Sequence, residues 1–254
     1  MPLSASRSDP APSPANGGGE AVFGSTQWSI VLESRRDSAS RREALERLCR
    51  TYWLPIYGYL RRRGYASHDA EDLTQGFFAY VIEGDFLDRP DPEKGRFRGY
   101  LIGALKHFLA RHHERENTQK RGGRAHVLDW TALDAEREFA VIDQPSLDPG
   151  ATYERGWALA VFAQALRRLD AEQAAAGHAA EFALLRPFLS SSPSQNEYAA
   201  VAEKLGLARA TVAVRIFRLN RRYAELVRLE IAASVRDPAE IEHEMRHLLA
   251  ILRG

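Results

Sequence analysis

From Tyr198 to Tyr223 the chain reads YAAVAEKLGLARATVAVRIFRLNRRY. Ala202 is followed four residues later by Gly206 and ten residues later by Val212, with apolar Val201, Leu205, Leu207 and Ile216 around them. Each position has a mechanical reason: a small alanine lets a second helix come close, glycine accepts a left-handed turn, and a β-branched residue locks into a shared core. Ser194 and Glu197 supply a capping box at the start of the first helix. On the second helix Val212, Ile216, Leu219 and Tyr223 form an apolar stripe, and Thr211, Arg215, Arg218 and Arg222 run parallel to it. The pattern predicts a helix-turn-helix whose second helix gives one side to a core and the other to DNA. The alternative is an ordinary helical pair with a solvated arginine face.

Working outward, the periodicity is helical throughout, and no run alternates apolar and polar residues as a sheet would require. The expected fold class is all-α, with two small helical domains joined by a flexible linker. Ser40 and Glu43 make a second capping-box pattern ahead of Ala44, Leu45 and Leu48. Asp69 to Val81 reads as a helix with Ala70, Leu73, Phe77 and Val81 on one face and Asp69, Asp72 and Gln75 on the other. The loop GDFLDRPDPEKG ends at Gly95, and a long helix from about Phe97 to about Arg115 buries Phe97, Leu101, Leu105 and Phe108. The expected organisation is a disordered Pro/Ser/Gly-rich tail over 1–24, a first domain over 25–121, a linker over 122–151, a second domain over 152–235 and a helical extension over 236–254.

The 254 residues carry 35 Lys+Arg against 34 Asp+Glu, and that balance conceals segregation. Lys94 to Arg124 holds nine cations and two anions, and Lys204 to Arg228 holds seven and one. Between them Ala125 to Glu181 holds ten anions and four cations. Two basic surfaces joined by an acidic tether suggest a polyanion gripped at two places. Cys49 is the single cysteine, which removes any disulfide framework or cysteine-cluster zinc site and fits a cytoplasmic protein. No run approaches the roughly 20 apolar residues of a membrane span, so no membrane insertion is expected. His107, His112 and His113 lack the i, i+4 spacing of a helical zinc site. No phosphate-binding glycine loop or nucleophile elbow exists, so neither cofactor, metal nor enzymatic activity is expected.

These residues carry a resemblance. Over roughly 26 to 232 the chain resembles a group-four sigma factor of the extracytoplasmic-function type, within the sigma-70 family of bacterial RNA polymerase. DAEDLTQGFF, Asp69 to Phe78, is similar to the family's polymerase-clamp-binding motif, FRGYL, Phe97 to Leu101, to the start of its promoter-melting helix, and RIFRL to its recognition-helix signature. The resemblance implies that Asp69, Glu71, Asp72 and Gln75 dock on core RNA polymerase. Arg98, Tyr100, Lys106, His107, Arg111 and Arg115 would capture and open the minus-ten element of promoter DNA, where stacking on unpaired bases is worth about 1–3 kcal/mol per base. Arg209, Thr211, Arg215, Phe217, Arg218 and Arg222 would meet the minus-thirty-five element, and the acidic linker would run through a positive channel of the polymerase.

The chain departs from the family at His107, where an asparagine is usual, at Tyr100, where a tryptophan is usual, and at Ala213 and Val214, which are often polar. The promoter sequence is therefore not carried over. The Ala-rich stretch around Glu172 to Ala180 and the tail after Asp237 are extra. They either pack on the second domain, the favoured expectation, or hold an anti-sigma factor or other regulator. Thr74, beside the acidic motif, is a candidate phosphorylation switch. The other readings are a stand-alone helix-turn-helix regulator and a helical adaptor that binds only protein.

Overall fold

The structure is a computed structural model, and it describes residues 38–83, 96–116, 132–189, 194–235 and 237–253, with the side chains of 38–45, 47, 82–83, 115–116 and 132–134 outside the description. Among the described residues every regular element is helical. In chain order these are α1 (Ser38–Arg62), α2 (Ser67–Glu83), α3 (Phe97–Glu116), α4 (Ala132–Ile142), α5 (Pro149–Ala175), α6 (Ala179–Leu185), a 3₁₀ turn (Arg186–Leu189), α7 (Gln195–Leu205), α8 (Arg209–Ala232), a 3₁₀ turn (Pro238–Glu240) and α9 (Ile241–Arg253). The tail over 1–24, the loop ending at Gly95 and the first part of the expected linker lie outside the described residues, as do the side chains of the Ser40–Glu43 capping pair.

The 27 residues of α5 give a rod about 40 Å long at 1.5 Å per residue. Its most extensive packing is against α1, and it also meets α8 and α9. Asp148 opens it by accepting from the Ala151 amide at 2.8 Å, with proline at the first helical position, where a missing N–H costs nothing. Thr152, Tyr153, Gly156 and Trp157 are buried on its N-terminal part, and Val161, Ala165 and Leu169 further along. Close approach to α1 is possible because Gly156 has no side chain: a Cβ there would sit 3.0 Å from the Pro55 Cα. Pro55 lies inside α1, where it lacks the N–H of the helix ladder.

The stretch expected as a linker over 122–151 is helical in part. Its described part contains α4, whose Ala135, Phe139 and Ile142 are buried, and residues 149–151 already belong to α5. Tyr57 donates to the Glu136 carboxylate, Arg61 pairs with Glu136 at 2.8 Å, and Arg62 donates to the Pro145 carbonyl at 2.9 Å. An apolar spacing of i, i+4, i+7 was present there, short and set among acidic residues. The buried residues of both halves form one continuous core, from Leu48 in α1 to Leu248 in α9.

The Ala-rich stretch around Glu172 to Ala180 is broken at Gly177, whose φ of 77° is left-handed. The extension after Asp237 packs on α5 and α8. Asp237 caps it, accepting from the Ala239 amide at 2.8 Å. Cys49 is 1% exposed, and its thiol is pushed up to about 12 by burial and then by Glu46. No helix among the described residues is long and apolar enough to cross a membrane.

Candidate nucleic-acid interface

The capping box at Ser194 forms as its sequence requires. The Ser194 hydroxyl accepts from the Glu197 amide at 3.3 Å, and the Glu197 carboxylate accepts from the Ser194 amide at 2.7 Å. The Ser194 amide, and then the Ser194 hydroxyl at 2.7 Å, hold the Glu197 carboxyl below its usual range. α7 then ends at Gly206 with φ 63° and ψ 31°, and the Leu207 amide closes the turn on the Ala202 carbonyl at 2.9 Å. Val201, Ala202, Val212, Ile216 and Leu219 are buried between α7 and α8 and the helices beneath.

The basic stripe of α8 divides. Arg209, Thr211, Phe217 and Arg218 face outward and are exposed. Arg215 instead gives its guanidinium to the Glu181 carboxylate of α6. Arg222 clasps Glu172 of α5 with two hydrogen bonds, 2.8 and 2.7 Å, and reaches Glu225 at 3.1 Å. The Arg222 hydrogen bonds hold the Glu172 carboxyl below its ordinary range, and those that Arg222 donates to Glu172 and Glu225 raise its own pKa in turn. An open hollow of about 390 Å³ lies beside these pairs, lined by Gln173, His178, Glu181, Arg215, Arg218 and Arg222 among others.

On α3 the expected surface shrinks. Arg98 is corrected from a DNA contact to a core residue: it is 4% exposed, its guanidinium lies 4.4 Å from the Trp157 ring, and it pairs with Glu154 at 2.8 Å and with Glu244. Tyr153 donates to its carbonyl at 3.0 Å. Burial acts to lower the Arg98 pKa, and the Glu154 and Glu244 carboxylates outweigh it, so the net direction is upward. Arg96 also reaches Glu244, at 2.7 Å. Tyr100 is half-buried with its ring 6.3 Å from Phe97. Lys106, His107 and Arg111 remain exposed, Arg111 lying 6.0 Å from the Tyr80 ring, while the Arg115 side chain lies outside the described residues.

The acidic face of α2 stands clear of the core. Asp69 and Asp72 are exposed, and Glu71 and Gln75 are half-buried with Gln75 donating to Glu71 at 3.4 Å. Ala70, Leu73, Phe77 and Val81 are buried on the opposite side. Thr74 is fully buried and donates to the Ala70 carbonyl at 2.7 Å, so the structure gives a modifying enzyme no access to it.

The carboxylates that engage these arginines were missed as site residues. Glu154, Glu172, Glu181 and Glu244 belong to acidic stretches whose partners are far away in the chain, and only their sign opposite the basic blocks hinted at the pairing. No group of three or more His, Cys, Asp or Glu among the described residues is placed to hold a metal ion. No protein-family model matches the chain, and neither a curated protein nor a solved structure matches it.

Proposed function

We propose that the chain is an initiation subunit of bacterial RNA polymerase, a sigma factor of the extracytoplasmic-function type, with no catalytic role of its own. In this reading Asp69, Glu71, Asp72 and Gln75 on α2 meet core RNA polymerase. Lys106, His107 and Arg111 on α3 meet the minus-ten element, with Tyr100 beside them. α7 and α8 act as a helix-turn-helix on the minus-thirty-five element through Arg209, Thr211, Phe217 and Arg218. The two-domain division, with α5 opening the second unit, belongs to the same reading, as does a cytoplasmic location.

The observation that carries it is the order along the chain: an exposed acidic helix, then an exposed cationic helix, then a capped helix pair with an outward cationic face. An adaptor that binds only protein has no use for the last two. A stand-alone DNA-binding regulator has no use for the first, although the single continuous core, which holds α8 in place without a partner, favours it.

The test is capture of purified core RNA polymerase by the full chain and by Asp69→Arg/Asp72→Arg, with circular dichroism on both. Charge reversal at two exposed positions abolishes capture and leaves the helical spectrum unchanged. Equal capture by both proteins removes the α2 docking face from the account, and capture by neither moves the reading to the stand-alone regulator.

A further inference from the structure

The uncovered face of α8 is not the arginine ladder of the sequence. Its centre is apolar: Phe217, at 66%, and Val214, at 47%, are the two large apolar side chains that α8 exposes within this cationic stretch. They stand three residues apart, hence one above the other on the same side of the helix. Thr211, Arg218 and Arg221 flank them, and Arg209 stands at the helix start, all exposed. Two other arginines of the helix, Arg215 and Arg222, are engaged by Glu181 and Glu172. A phenylalanine left mostly in water forfeits the favourable transfer that burial would bring, and an exposed apolar patch ringed by polar groups marks a contact surface.

The occupant must offer an apolar spot beside negative charge, because the exposed Arg209, Arg218 and Arg221 stand around the face, Arg221 lying 3.6 Å from Glu225. The major groove of duplex DNA does so: its walls are phosphates, and the thymine C5-methyl is the apolar group on a base edge there. Resting on the DNA reading of α8 given above, we infer that Val214 and Phe217 read thymine methyl groups in the major groove, while Arg218 and Arg221 take adjoining phosphates or guanines. The duplex preferred by this helix is therefore rich in thymine under the middle of α8.

The full chain, alone and assembled with core RNA polymerase, is used to select duplexes from a random pool. The winners are then remade with deoxyuridine for thymidine, which removes only the methyl groups. The wild type loses about fourfold in affinity for each contacted methyl, the worth of one buried carbon group. Val214→Ala/Phe217→Ala binds both duplexes alike with its helical spectrum intact, and Phe217→Leu, which keeps an apolar tip, retains the methyl preference. Salt-dependent duplex binding that ignores the methyl groups overturns this inference and leaves the DNA reading standing. Absence of salt-dependent binding in either state overturns both. Loss of polymerase capture by Val214→Ala/Phe217→Ala, with the methyl preference untouched, assigns the face to protein and overturns the inference alone.

Discussion

Arg98 shows what one residue can hide. In the sequence it is one of nine cations in a block read as DNA-facing, but in the structure its partners Glu154 and Glu244 lie 56 and 146 positions away and take it into the core. Charge is written in the sequence, whereas a partner at that separation is not. Glu244 is fully buried between Arg96 and Arg98, so its removal takes a carboxylate from both and leaves Arg98, in the interior, to Glu154. Breaking a buried pair from one side costs about 3–5 kcal/mol. Glu244→Ala is accordingly expected to lower the urea-unfolding free energy by that amount, followed by circular dichroism. A loss under about 1 kcal/mol contradicts the structural role given to α9.

Among elements, the legible ones had local signals. α7 could be placed because its capping box and its Gly206 stop lie within a dozen residues of each other, and α2 because its apolar face repeats regularly. α4 was not, since Ala135, Phe139 and Ile142 sit among acidic residues in a stretch that otherwise resembles a connection. The division of the α8 stripe was equally invisible, because it depends on where α5 and α6 bring Glu172 and Glu181. Those carboxylates occupy two arginines that could otherwise meet phosphates, so Glu172→Gln/Glu181→Gln is expected to bind duplex DNA more tightly. The slope of log affinity against log salt should steepen by about one to two, one counterion per freed arginine. An unchanged slope denies that these pairs compete with DNA. The Glu172 carboxyl is held below its usual value by Arg222, so the stabilisation it brings is complete above the ordinary glutamate range and fades as pH falls through the depressed value. The clasp between α5 and α8 therefore opens in acid rather than in base.

For the whole molecule, composition and periodicity foretold an all-helical protein, and the helices follow. In the packing α5 is buried against α1 near its start and tied to α8 further along, where Tyr223 donates to the Phe162 carbonyl at 3.0 Å. Segregated charge in the sequence becomes internal pairing in the fold. It leaves outward an acidic patch on α2, a short cationic patch on α3 and the Val214–Phe217 face of α8. The central claim is that these surfaces serve transcription initiation. The direct measurement is transcription of the source organism's genomic DNA by core RNA polymerase with and without the full chain, with RNA 5′ ends mapped. The account predicts a discrete set of start sites that requires the chain and disappears with Asp69→Arg/Asp72→Arg. Identical starts in the presence and absence of the chain contradict it.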